Sequence, residues 1–231
     1  MKKIYYILSA LFLCVVATSA QEAGKTVVIK TNVGTMKAIL YDDVPNHTRT
    51  FIERAKRGDF NGTLFTRVLP EFMIQGGAPD SKNAPAGAKC GFGDPSAEIL
   101  PEINEKYFHK KGALSAARQG DNVNPKKESS GCQFYIVTGK VFNDSTLLGM
   151  ESQMNENKIN VIFNTLAQKH MKEIYKMRKA NDENGLYDLQ EKLFAEAQEM
   201  AAKQPEFHFT PEQIEAYTTV GGTPHLDGEY T

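Results

Sequence analysis

The chain has 231 residues, of which 41% are hydrophobic and 24% charged, and its formal net charge is −1. Such a composition fits a soluble globular protein, and the length leaves room for one ordinary domain plus an extra element, or for two small domains. The near-neutral balance argues against the basic footprint of a nucleic-acid binder, and no segment beyond the N-terminus is long and apolar enough to span a bilayer.

Lys2 and Lys3 precede an apolar run from Ile4 to Ala17, and Thr18-Ser19-Ala20 ends in a small residue before Gln21 and Glu22. The pattern is that of a signal peptide cut after Ala20, with an uncleaved anchor as the alternative. Bulky Leu13 ahead of Cys14 argues against lipidation. The mature chain is therefore expected to be exported, to the periplasm or else outside the cell, with no membrane attachment after cleavage. Cys14 leaves with the signal. Cys90 and Cys132 remain, too few for a disulfide framework, and two buried free thiols are expected rather than a single bridge.

Strand signals follow. Thr26-Val27-Val28-Ile29 and Met36 to Tyr41 flank Asn32-Val33-Gly34-Thr35 as a hairpin. A helix is expected after Pro45, with Thr48 as N-cap, Phe51, Ile52 and Ala55 on one face, and Gly58 as the stop. Leu64 to Leu69 and Phe72 to Gln75 read as a strand pair bent at Pro70. Asp80 to Asp94 is a Gly/Pro/Ala-rich loop, and Ala113 to Ala117 and Gln133 to Thr138 are two further short strands.

From residue 141 to about 222 the period changes to that of helices. Ile159, Ile162, Phe163, Leu166, His170, Ile174 and Met177 form one stripe, and Leu186, Leu189, Leu193, Ala197 and Met200 form a second. The turn signal at Asn181 to Gly185 joins them into an antiparallel hairpin. Thr210-Pro211-Glu212-Gln213 then has the makings of a capping box. The five histidines show no metal-ligand spacing.

Three segments carry a family resemblance. Phe65 to Gly77 reads FTRVLPEFMIQGG. Lys111 to Ala117 reads KGALSAA and is followed by Ser129 to Val137, SSGCQFYIV. Thr223 to Tyr230 reads TPHLDGEY. In this order they resemble the cyclophilin-type peptidyl-prolyl cis-trans isomerases, whose first segment reads F-H-R-V-I-P-x-F-M-x-Q-G-G-D. The resemblance implies a mainly β fold, an antiparallel eight-strand barrel with capping helices. Residues 21–140 and 218–231 would form the isomerase domain, residues 1–20 the signal, and residues 141–217 a helical hairpin insertion. The family segment that opens at Leu226 normally runs on through a strand, a helix and a closing strand, so a chain stopping at Thr231 is expected to be C-terminally incomplete and its barrel open.

What the resemblance implies for function is specific. Arg67 falls on the family's catalytic arginine. Phe72, Met73, Gln75, Gln133, Tyr135 and Leu226 fall on proline-pocket and substrate-backbone positions, and Ala117 on a backbone contact. Six positions depart from the family pattern: Thr66 replaces the motif histidine, though it alternates away from Arg67, Ala78 replaces a usual acid, Arg118 stands where asparagine is common, Tyr135 where phenylalanine is, His225 in place of a rim tryptophan, and Tyr230 in place of a histidine. Cyclosporin-type inhibitors lean on that tryptophan, so weak inhibition is expected. The implied partners are proline-containing peptides and unfolded exported proteins. No metal or cofactor is implied, because the reaction makes and breaks no covalent bond. The alternative is a non-catalytic module that binds proline peptides or acts as a chaperone through the helical insertion. The insertion supplies no motif residue, so removing residues 143–217 is expected to spare peptide isomerisation.

Strand periodicity agrees with the motif. Gln133 and Tyr135 are two apart and share a face, as do Met73 and Gln75, while Phe134 points the other way.

Overall fold

The computed structural model describes residues 24–93, 98–121 and 123–231. The expected signal peptide at 1–20 lies outside them, as does Asp94 at the end of the Gly/Pro/Ala-rich loop. Two compact units divide between Asp43 and Val44.

The first unit holds the expected hairpin. Strands β1 (Gly24–Thr31) and β2 (Gly34–Tyr41) pair antiparallel from Gly24 opposite Tyr41 to Thr31 opposite Gly34. Asn32 and Val33 form the turn between them, and the β-branched run Thr26 to Ile29 suits the pleat.

The second unit opens with helix α1 (Pro45–Arg57). Its N-cap is Val44, not Thr48, and Thr48 lies buried inside the helix. A distant carboxylate does the capping. Glu102 accepts from the backbone N–H groups of Asn46 at 3.0 Å and His47 at 3.0 Å, two of the donors that every helix start leaves open. With Pro45 setting φ for the first turn, the helix starts earlier than the Thr48 signal indicates. Gly58 stops it with φ at 76°, the left-handed C-cap that glycine adopts without strain. Ala55, expected on the inner face, is exposed, and Arg54 is buried instead.

Strands β3 (Arg67–Leu69), β4 (Met73–Gly76), β5 (Glu98–Ile99), β6 (Leu114–Arg118) and β7 (Ser129–Val137) form one antiparallel sheet. The order is β3-β4-β7-β5, with β6 also paired to β7. β3 begins only at Arg67, and Phe72 belongs to the turn after Pro70 rather than to β4. Glu71 takes a φ of 57° there. The sheet has two distinct faces. Phe134 packs edge-on against Phe51, Phe60 and Phe65 under α1. Met73, Ala117, Tyr135 and Val137 make a separate core with Leu226 on the other side.

Four helices follow: α2 (Asp144–Lys169), α3 (Met171–Lys179), α4 (Glu183–Ala202) and α5 (Pro211–Thr219). The second stripe of the sequence is α4. The first stripe is split, because the chain leaves helical geometry at His170 with φ −93° and ψ 9°, and α2 starts well before Ile159. The capping box on α5 is present, with Thr210 accepting from Gln213 N at 3.2 Å and Gln213 accepting from Thr210 N at 2.8 Å. Because this segment is almost wholly helical, helical residues outnumber strand residues among the described ones, against the expectation of a mainly β chain. Among the described residues seven strands lie in a two-stranded and a five-stranded sheet, where an eight-strand barrel was expected.

Candidate active site

Register across the sheet gathers the motif residues. Arg67 lies opposite Gln75, Gln75 opposite Tyr135, and Tyr135 opposite Ser115. Residues directly opposite in a ladder project to the same face, so one transverse row carries an arginine, an amide, a tyrosine and a serine. Two residues along, Met73 lies opposite Val137 on that same face. The alternation read from the sequence for Gln133 with Tyr135 and for Met73 with Gln75 is therefore realised.

Each side chain in the row is placed by a neighbour. Gln75 Nε2 donates to Gln133 Oε1 at 2.9 Å, so the two amides brace each other. The loop residue Gly93 comes close to the Gln133 amide, and its φ of 79° is one that glycine adopts without strain. Arg67 is exposed, and its guanidinium carbon stands 5.9 Å from the centroid of the Phe72 ring. The guanidinium makes no hydrogen bond among the described residues. Phe72 in turn stacks on His225 at 5.6 Å. A cation, a phenyl ring and an imidazole thus form a layered rim.

Behind the rim lies a packed floor. Met73, Ala117, Tyr135 and Leu226 are buried in one cluster, with Phe72, Ala113 and Tyr230 half-buried against it. The motif assigns Phe72, Met73, Tyr135 and Leu226 to pocket and substrate-backbone positions without separating floor from rim, and Ala117 to a backbone contact. In the structure Met73, Tyr135, Ala117 and Leu226 are floor, and Phe72, Tyr230, Gln75 and Gln133 are the accessible surface. Tyr230 meets Tyr135 edge-on at 5.8 Å and carries the Arg118 guanidinium 4.4 Å from its ring centroid. Arg118 is itself fixed, by Nε donation to the Glu229 carbonyl at 3.0 Å and by pairs with Asp121 at 2.6 Å and Glu229 at 3.3 Å. All eleven motif positions expected in the site fall on this face or its border.

The electrostatics divide the same way. Burial of the His225 ring lowers its pKa below the ordinary imidazole value, nearby His109 adding to this and Asp227 opposing it. Burial also drives the Tyr135 hydroxyl far above the ordinary phenol range, so it stays protonated. Its hydroxyl lies 2.8 Å from His109 Nε2.

His109 belongs to a buried polar group that sequence reading does not find. Asp227 Oδ1 accepts from the His109 backbone at 2.8 Å and faces His109 Nδ1 at 3.2 Å. Its Oδ2 accepts from Gln213 Nε2 at 2.9 Å and Tyr217 Oη at 2.7 Å. Asp227 lies in the TPHLDGEY motif, but its partners come from segments that no local pattern connects to it. Cys90 and Cys132 are both free thiols, Cys132 buried. Among the described residues no cluster of three or more metal-ligating side chains occurs.

Residues 26–186 match the family model of cyclophilin type peptidyl-prolyl cis-trans isomerase/CLD. A Streptococcus pyogenes protein provisionally named as a bifunctional phosphatase/peptidyl-prolyl cis-trans isomerase is 37% identical over 115 residues, 49% of this chain and 22% of that protein. A Staphylococcus saprophyticus protein provisionally named as a peptidyl-prolyl cis-trans isomerase is 36% identical over 111 residues, 48% of this chain and 51% of its own length. The chain thus spans about half or less of the length of these two relatives. A crystal structure of a Cryptosporidium parvum cyclophilin type isomerase, obtained in the presence of the dipeptide Ala-Pro, is 26% identical, covers 48% of this chain and 66% of that one, and superposes with a TM-score of 0.38. At that score the likeness decides nothing beyond the family match.

Proposed function

This chain belongs to the cyclophilin-type peptidyl-prolyl cis-trans isomerase family, and from that premise we propose that it catalyses rotation about X–Pro bonds, with Arg67 stabilising the twisted imide. The observation that supports this most is the placement of Arg67, exposed beside Phe72 at the end of a row of polar side chains, its guanidinium without a hydrogen-bond partner among the described residues.

The chemistry follows from the bond. Rotation about a peptide C–N bond costs about 18–20 kcal/mol, because resonance is lost when it twists. In the twisted form the lone pair localises on the imide nitrogen. A donor aimed at that nitrogen binds the twisted form more strongly than the planar one, which is what lowers a barrier. Arginine stays protonated and presents a rigid fork. One charge-assisted hydrogen bond contributes about 1.5–3 kcal/mol, and ground-state distortion about 1–5 kcal/mol. At about 1.36 kcal/mol per tenfold, these terms give accelerations of several orders of magnitude. In this scheme Phe72, Met73, Tyr135 and Leu226 receive the proline ring, and Gln75, Gln133 and the Ala117 backbone hold the flanking chain. No nucleophile is required.

We read the antiparallel strands as belonging to the family's eight-strand barrel, with the helical segment as an insertion. From the pattern of residues 1–20 we place the activity after export, on unfolded proteins. The proposal predicts that the purified protein accelerates cis–trans exchange of a short Ala-Pro peptide, followed by exchange NMR. No acceleration at micromolar protein would overturn it. A second reading, a non-catalytic chaperone module, draws on Val161, Met171, Tyr175 and Tyr187, which the helical segment exposes. Suppression of client aggregation that persists in an Arg67→Ala variant would support it.

A further inference from the structure

Asp227 sits directly after Leu226, one of the floor residues, and its side chain is only 4% exposed. A buried carboxylate costs several kcal/mol unless its oxygens are satisfied. Here four donors converge on it from separate parts of the chain. Two come from His109, its backbone N–H and its ring. The other two are Gln213 and Tyr217, both on α5. Burial, with Asp227 next in weight, raises the Tyr217 hydroxyl far above the ordinary phenol range, so it remains a donor.

The arrangement extends one step further toward the candidate site. The two ring nitrogens of His109 face different partners, Nδ1 the carboxylate and Nε2 the side of the candidate site. Nε2 lies 2.8 Å from the Tyr135 hydroxyl. Tyr135 stands opposite Gln75, and Gln75 opposite Arg67. Backbone bonds bind the same block together, with Thr223 N donating to the His109 carbonyl at 2.9 Å.

We propose that Gln213 and Tyr217 of α5 are positioning residues, which set the floor of the proline pocket through the Asp227 carboxylate, His109 and the Tyr135 hydroxyl. The last helix of the helical segment is then part of the substrate site's support. The proposal rests on the isomerase reading for its kinetic consequence but not for its geometric one. Removing one α5 donor leaves the buried charge under-satisfied. The carboxylate then draws more on His109, and the imidazole turns away from Tyr135.

The test is a double-mutant cycle. Tyr217→Phe keeps the ring in place and removes one donor. Gln213→Glu keeps the capping acceptor and replaces the other donor with a like charge. Each should raise the KM for a proline peptide by roughly threefold to tenfold, the scale of coupling between side chains in one network, with kcat changed less. In a Tyr135→Phe background, which cuts the final link, the effect of Tyr217→Phe should shrink to less than about twofold. Equal factors in both backgrounds would show α5 acting only through general stability, and the proposal would fail. Amide chemical shifts supply a readout that needs no activity. Tyr217→Phe should move the His109, Tyr135 and Leu226 resonances, and shifts confined to α5 would overturn the proposal. If the wild-type protein does not isomerise peptides, the isomerase reading falls and the positioning role is decided by these shifts alone.

Discussion

The helical segment is held together in two different ways. Its outer part, the hairpin of α2, α3 and α4, has an apolar core of its own in which Leu166, Leu189, Leu193 and Ala197 are buried and Ile159, Ile162, Phe163, Ile174 and Met177 pack around them. Its base is joined differently. Leu147, Phe209 and Tyr217 pack against Phe108 and Phe142, and Gln213 and Tyr217 bond to a carboxylate that His109 also holds. The two parts meet at a neck where Asn155 brackets Phe207, Nδ2 donating to its carbonyl at 3.0 Å and Oδ1 accepting from its N–H at 2.8 Å. A self-contained apolar core can be removed or loosened without informing its neighbours. A joint made of buried hydrogen bonds cannot, because each lost donor leaves a polar group unsatisfied.

The sharpest way to break this comparison is excision. Cutting out residues 157–205 and closing the neck with a few glycines should leave a folded chain with peptide turnover close to that of the intact protein. Removing residues 143–217 should cost most of that turnover, because two of the four Asp227 donors go with it. This departs from the sequence-based expectation that the whole segment is dispensable. Equal activities of the two deletions, compared as folded proteins, would erase the distinction between neck and base.

Substitution sharpens it further. Leu193 is 1% exposed, and Leu193→Ala should lower stability by about 2–5 kcal/mol through lost burial and a residual cavity. Denaturant unfolding should register this loss while turnover per folded molecule stays unchanged.

A smaller effect belongs to the sheet-bearing side. Desolvation pushes the Glu102 carboxyl up, but hydrogen bonds from the His47 ring and from the His47 and Asn46 backbones outweigh it and hold its pKa below the ordinary carboxylate value. Burial lowers the His47 pKa against the pull of Glu102, so at neutral pH the contact is a hydrogen bond from a neutral ring. A carboxylate with a depressed folded-state pKa adds stability above its unfolded value, and that stability is lost as pH falls through the folded one. Glu102→Gln should therefore cost about 1–2 kcal/mol at pH 7, and the gap to wild type should narrow in urea melts as pH is lowered through the acid range.

The smallest effect is at the rim. With its pKa lowered, His225 is neutral at pH 7 and takes a proton only below the ordinary value of about 6.5. Acidification through its lowered pKa then puts a charge on the ring stacked against Phe72. KM for a proline peptide should rise by less than about threefold, a rim-scale effect, and a His225→Gln variant should lack this rise.

These regions were unequally legible in the sequence. The α4 stripe and the α5 capping box involve neighbours within a few residues, and period and spacing reveal them. The face shared by Gln133 and Tyr135 follows from the alternation of any strand. The break at His170 is invisible because the apolar stripe continues through it. Thr48 is a fair local cap, yet a carboxylate more than fifty residues away takes the helix start. The motif alone places Arg67, and it places Met73 and Tyr135 in the pocket without distinguishing floor from rim. Asp227 is the clearest case of what pattern cannot show. It reads as one letter of a loop motif, and its role depends on donors from two segments, around His109 and on α5, that only the folded chain brings to it.

The central claim is that Arg67 acts on the twisted imide, and one kinetic comparison tests it most directly. Wild type, Arg67→Lys and Arg67→Ala are assayed on the same Ala-Pro peptide after unfolding curves establish equal fold. The account predicts that Arg67→Ala loses roughly ten- to a hundredfold in kcat/KM, the equivalent of one charge-assisted hydrogen bond. Arg67→Lys should recover little of this, because charge without the fork does not restore the geometry. An Arg67→Ala variant that isomerises the peptide as fast as wild type would contradict the mechanism.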